Sequence, residues 1–87
     1  MPDDKVYYLY LLQCSDGSYY TGIARDLEQR LKQHNGLVKG GASYTKTRRP
    51  VVLNYFEKFA TRSQALKREA EIKKLNHDKK TSLVKSL

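Results

Sequence analysis

Three kinds of side chain in this 87-residue sequence stand where chemistry could be done. In a segment of helical spacing, Leu27, Arg30, Leu31 and His34 recur at i, i+3, i+4 and i+7 and share one stripe. The two leucines must face a core, which brings Arg30 and His34 to the edge of the surface the helix packs on. A guanidinium there can neutralise an anion, and an imidazole can move protons near neutral pH. The plainer alternative is that Arg30 snorkels over the core and His34 ends the helix. A second helical run holds Glu69. With Ala65 as origin, Glu69 falls at about 40°, Leu66 at about 100°, Ala70 at about 140° and Ile72 at about 340°, whereas Glu71 falls at about 240°. Glu69 therefore lies inside the apolar arc and Glu71 on the wet face. A carboxylate among apolar neighbours costs several kcal/mol unless it is paired or bound to a cation. A hard divalent ion such as Mg²⁺ would satisfy it, as would an ion pair with Arg30 or a lysine. The third group is tyrosine. Tyr7, Tyr8, Tyr10, Tyr19 and Tyr20 cluster in a short stretch, where their strand propensity alone could explain them. Their hydroxyls can converge only if the strand register puts them on one face.

The elements that must position these groups follow from local signals. Val6 to Cys14 reads as a strand, Ser15-Asp16-Gly17 as a turn, and Ser18 to Ile23 as a returning strand. Asp26 and Gln29 have capping-box spacing, so a helix runs from Leu27 to about His34, where Asn35-Gly36 stops it. Residues 35–50, with three glycines, four bases and Pro50, read as a long irregular loop with a functional role. Val51 to Phe59 is a third strand. Thr61 and Gln64 start a helix expected to reach about Asn76, and Asp78 to Leu87 has helical spacing. The order ββαβαα implies an α/β (α+β) domain over residues 1–87, with a three-stranded, mainly antiparallel sheet flanked by helices.

The hairpin register decides whether a tyrosine site exists. A two-residue turn, Asp16-Gly17, would oppose Tyr10 to Ile23 and send Tyr10 and Tyr20 to opposite faces. A three-residue loop, Ser15-Asp16-Gly17, opposes Tyr10 to Gly22 and Leu12 to Tyr20, so both tyrosines share a face. A type I turn followed by a left-handed residue wants glycine third, and Gly17 is there. The three-residue loop is the expectation.

Composition and charge narrow the class. Hydrophobic residues are 39 % and charged residues 30 %, a globular balance. Cys14 is the only cysteine, which excludes an internal disulfide and suits a reducing compartment. The opening Met1-Pro2-Asp3-Asp4 lacks the pattern of a secretory signal, and no run approaches the roughly 20 apolar residues of a membrane span. A cytoplasmic, monomeric protein with no membrane partner is expected. Residues 1–43 carry five bases and five acids, and residues 44–87 carry twelve bases against four acids, so all of the +8 net charge lies in the second half. Such lopsided basicity suits a polyanion, most commonly nucleic acid; a solvated basic face is the alternative.

Tyr8-Leu9-Tyr10 and, ten residues on from Tyr10, Tyr20-Thr21-Gly22 resemble the paired motif that names the GIY-YIG nuclease family. Tyr10 and Tyr20 match the two motif tyrosines. Arg30 falls on the family's catalytic arginine, His34 on its histidine or tyrosine, and Glu69 on its metal-binding glutamate. Arg25 falls where members often have a base before the first helix. The resemblance covers nearly the whole chain and is closest to small stand-alone members. The chain departs from the pattern at Tyr8-Leu9 for Gly-Ile, at Thr21 for Ile, and in lacking a spaced counterpart of a later asparagine, Asn76 being too near. No second DNA-binding domain is expected, unlike in larger members of the family.

The resemblance implies an endonuclease that hydrolyses phosphodiesters, DNA ahead of RNA, with a role in DNA repair or processing. Glu69 would hold Mg²⁺ (or Mn²⁺), and Tyr10 or Tyr20 would orient or deprotonate a water, its pKa lowered by Arg30 and the metal. Arg30 would neutralise the phosphate, and His34 would carry protons with a near-neutral pKa. Lys46, Arg48 and Arg49, with Arg25, would bind backbone phosphates. The rival expectation is a non-catalytic or weakly catalytic nucleic-acid-binding module acting with a protein partner that supplies specificity.

Overall fold

The computed structural model describes residues 6–86. The opening Met1–Asp4 and the final Leu87 lie outside the described residues. Strands β1 (Tyr7–Gln13), β2 (Tyr19–Ala24) and β3 (Val52–Phe59) form one sheet in the order β2-β1-β3, antiparallel throughout. Helices α1 (Leu27–His34), α2 (Ser43–Lys46), α3 (Arg62–Lys73) and α4 (His77–Lys85) complete it. The expected order holds, with one short helix added inside the long loop.

The hairpin closes as its turn chemistry requires. Cys14 N–H donates to the Ser18 carbonyl at 2.8 Å, and Gly17 takes φ +85°, the left-handed conformation that glycine adopts without a Cβ penalty. Tyr10 opposes Gly22 and Leu12 opposes Tyr20. The alternation of β1 then splits the core. Leu9, Leu11 and Tyr55 pack with Ile72 of α3 and with Leu83 and Val84 of α4 on one face. Tyr10, Leu12, Cys14 and Val51 pack with Leu27 and Leu31 of α1 on the other.

The helix starts are local. The Asp26 carboxylate accepts from Gln29 N–H, the Thr61 hydroxyl from Gln64 N–H, and the Asn76 side chain from Lys79 N–H. The last of these corrects an expected boundary. Asn76 caps α4, so α3 stops at Lys73 rather than near Asn76.

The buried stripe of α3 also differs from the expected arc. Ala65 and Ile72 are buried, but Leu66 and Ala70 are exposed. The helix presses on the sheet along a narrow line centred between Ala65 and Ile72, and Glu69 lies on it. Arg68 locks this orientation. Its Nε donates to both oxygens of Glu57 on β3 at 3.0 and 3.2 Å, and Nη1 donates to Glu71 at 3.1 Å. The Tyr55 hydroxyl donates to the same Glu57 carboxylate.

Candidate active site

Tyr10, Tyr20, Arg30 and His34 meet on the α1 face of the sheet. The Tyr10 oxygen lies 2.8 Å from His34 Nε2, and Arg30 Nε donates to it at 3.3 Å. Gly22, directly opposite, makes room: a Cβ there would stand 2.5 Å from the Tyr10 oxygen and 2.7 Å from Cζ. The Tyr20 ring packs against His34 at 5.0 Å and stacks on Tyr44 at 5.9 Å. Among the described residues its hydroxyl makes no hydrogen bond, and it is more open than Tyr10, which is only 2 % exposed.

His34 is not at the edge of the sheet, as its helical position suggested, but fully buried. The loop after α1 folds back over it. Thr45 of α2, also fully buried, places its hydroxyl 2.9 Å from His34 Nδ1 and 3.0 Å from the Ala42 carbonyl. One proton arrangement satisfies the three short contacts and leaves unused only the long approach of the Ala42 N–H to Nδ1, at 3.5 Å. Thr45 donates to Ala42, Nδ1–H donates to Thr45, and Nε2 accepts from the Tyr10 hydroxyl. Thr45 therefore sets which nitrogen carries the proton, a role that no spacing in Tyr44-Thr45-Lys46-Thr47 announced.

Electrostatics correct two expectations about these groups. His34 does not titrate near neutrality; burial, with the charges of Arg30 and Arg49, lowers its pKa to about 4. It is neutral at pH 7. The Tyr10 phenol is raised rather than lowered, because desolvation outweighs the hydrogen bond and charge of Arg30. Tyr10 is thus a neutral phenol in the free protein.

Glu69 stands apart. It makes no hydrogen bond to the tyrosines, Arg30 or His34, and its ion pair is with Lys73, one turn on, at 3.5 Å. Its carboxylate nevertheless acts on the Tyr10 phenol as one of the weaker charges that raise it. The side chain is 18 % exposed against 53 % for Glu71, the order expected from the helix. No group of three or more His, Cys, Asp or Glu is gathered for a metal among the described residues. One covered carboxylate with a single lysine partner still fits Mg²⁺, which commonly takes one or two carboxylates and completes its shell with water and substrate phosphate.

The expected phosphate ligands divide. Arg48 is committed to structure: it pairs with Asp16 at 3.1 Å, donates to the Tyr44 carbonyl and lies 4.0 Å over the Tyr44 ring. Together with the Ser15 N–H to Arg48 carbonyl bond, these contacts tie the hairpin tip to α2. Arg49 Nε donates to the His34 carbonyl at 2.8 Å. Lys46 is exposed and lines, with Lys39, Arg49 and the 36–41 glycine loop, a basic cleft of about 440 Å³. Arg25 stands at the start of α1, 5.0 Å over the Tyr7 ring.

The chain is similar to known proteins along most of its length. The GIY-YIG catalytic domain matches residues 6–82. The UPF0213 protein SSP2268 of Staphylococcus saprophyticus is 53 % identical over 78 residues, covering 90 % of this chain and 93 % of that one. A UPF0213 protein of Staphylococcus aureus is 51 % identical over 80 residues, covering 91 % and 94 %. The solution structure of EF2693 from E. faecalis superposes with a TM-score of 0.64 at 41 % identity, over 99 % of this chain and 90 % of that one. That of the UPF0213 protein BH0048 from Bacillus halodurans gives 0.58 at 40 %, over 92 % and 83 %. With its motif tyrosines on one face beside Arg30 and His34, this chain belongs to the GIY-YIG family, a nuclease superfamily.

Proposed function

We propose that the protein is a metal-assisted endonuclease that hydrolyses nucleic acid phosphodiesters, DNA in the first place. The observation that carries this reading is the Tyr10 junction, where one phenol is held by Arg30, by neutral His34 and, across the sheet, by the absence of a side chain at Gly22. Arg30 spends Nη1 on Gln33 and the Gly40 carbonyl, which aims the guanidinium and leaves Nη2 uncommitted among the described residues. It binds the phosphate and stabilises its growing charge. Tyr20 offers its unpartnered hydroxyl to the attacking water and orients it. Tyr10, its proton directed at the lone pair of His34 Nε2, stays a neutral phenol whose oxygen accepts from Arg30 Nε and holds that guanidinium in place. Glu69 would hold Mg²⁺, which when bound supplies charge stabilisation at the phosphate and leaving oxygen. Lys46 and Lys39 at the basic cleft bind flanking phosphates without reading sequence.

The test is cleavage of single-stranded, duplex and branched DNA, and of RNA, with Mg²⁺ or Mn²⁺. Cutting that disappears in EDTA, in Glu69→Gln and in Arg30→Ala is expected. Metal-independent cutting that survives both substitutions refutes the assignment. The near-complete cover over Tyr10 favours one second reading, a binding module acting with a partner. Salt-sensitive binding without turnover on any of these substrates identifies it.

A further inference from the structure

A second cleft opens on the same sheet face as Tyr10, beyond the N-terminal end of α1. Its volume is about 370 Å³, within the roughly 300–1,000 Å³ of small-molecule sites. Tyr8 and Phe56 supply its aromatic surface and Lys58 its positive charge, while Arg25, whose guanidinium lies over the Tyr7 ring, Asp26 and Leu27 complete it. The strand register fixes where Tyr8, Phe56 and Lys58 lie relative to the candidate active site. Tyr10 pairs with Phe56 and Tyr8 pairs with Lys58, so all four share one face, and Tyr8 lies two residues, about 7 Å, along β1 from Tyr10.

Core packing does not account for these rings. Neither Tyr8 nor Phe56 belongs to either core cluster among the described residues, and Phe56 is 46 % exposed. Their centroids are 5.9 Å apart and their planes meet at 65°, so they form a corner rather than a flat wall. A corner of this kind takes one planar ring against one partner and stops it with the other. Lys58 at its rim is suited to an anion carried by the same ligand. The acid, Asp26, is already engaged, since its carboxylate accepts the Gln29 N–H at the start of α1.

We propose that Tyr8, Phe56 and Lys58 form a base-binding subsite, which stacks one unpaired base of the strand and holds its phosphate, close to the bond that is cut. The proposal rests on the reading of this chain as a nucleic acid enzyme and adds what that reading leaves open. A duplex keeps its bases stacked on one another and cannot fill the corner, whereas a single strand or a frayed junction can. The basic cleft around residues 36–41 has no aromatic lining and can hold only backbone.

The experiment titrates the full-length protein, without divalent metal, into a single-stranded oligonucleotide carrying one 2-aminopurine, and into the duplex of the same sequence. Binding is expected to quench the 2-aminopurine in the single strand. Phe56→Ala should weaken single-strand affinity about tenfold and remove the quenching, as loss of one base–aromatic stack implies. Phe56→Tyr should retain both, and duplex affinity should be unchanged in either variant. Lys58→Ala should lower the salt dependence of single-strand binding by about one charge. Phe56 is half exposed, so its replacement leaves the core intact, and circular dichroism checks this. Unchanged single-strand affinity and quenching in Phe56→Ala overturn the subsite, even if the wild type cuts DNA. Wild-type binding and quenching without cleavage support the subsite and overturn the nuclease reading instead.

Discussion

Acid should destabilise this protein through His34 at a pH where an ordinary histidine has already titrated. The imidazole is fully buried, flanked by the Arg30 and Arg49 guanidiniums, with Nε2 facing the Tyr10 hydroxyl and Nδ1 facing Thr45. A second proton on it would place a third cation in a closed space and force Tyr10 to stop donating. In the unfolded chain His34 takes up that proton near 6.5; in the folded chain it does so only at about 4. The folded state therefore binds fewer protons in this window, so the contribution is fully present above pH 6.5 and is lost as the pH falls toward 4. At about 1.4 kcal/mol per tenfold change in proton affinity, the loss approaches 3 kcal/mol. For a domain of this size that is roughly 10–20 °C in Tm. Urea or thermal unfolding followed by circular dichroism from pH 7.5 to 4.0 measures it, with His34→Gln as the reference that cannot titrate. Asp16, held low chiefly by the Ser18 hydroxyl, titrates beneath this window and is common to both proteins. The difference between the two curves should grow as the pH drops. A parallel loss in His34→Gln, or a His34 ring resonance that titrates near 6.5, would refute the reasoning.

Other outcomes follow from single contacts. Gly22→Ala drives a methyl against the Tyr10 hydroxyl, so it should cost about 1–3 kcal/mol and abolish cleavage by parting Tyr10 from His34 and Arg30; full activity would show that the junction is not needed. Glu57→Gln weakens the hold on Arg68 and should lower stability by about 1–2 kcal/mol in urea unfolding, since the pair is only partly exposed. Removing charge at Lys39 and Lys46 together should flatten the log–log salt dependence of DNA binding by about two, with little change in Tm. Arg49 is left intact in that variant because it holds the His34 carbonyl.

Much of the fold was legible because its causes are local. Gly17 at the third loop position selects the three-residue turn, and once that turn is chosen, every pairing of β1 with β2 follows, including Tyr10 opposite Gly22. The caps at Asp26 and Thr61 needed only their own sequence neighbours. The contrast between Glu69 and Glu71 needed only the helical period, although the stripe beneath α3 proved narrower than the apolar residues suggested.

What the sequence by itself determined, then, is which residues share a face: Tyr10 with Tyr20, Arg30 with His34, and Glu69 with Ala65 and Ile72. Tertiary structure decided what state those residues are in. His34 became a buried neutral base because α2 closed over it, and its tautomer was set by Thr45, 11 residues away. Tyr10 kept its proton because desolvation outweighed a neighbouring arginine. Arg48 was taken out of the basic surface by Asp16 and Tyr44, contacts that span up to 32 residues of chain. Spacing along a chain encodes direction, but desolvation and pairing depend on which distant segments come to rest against a side chain, and only the folded packing specifies those.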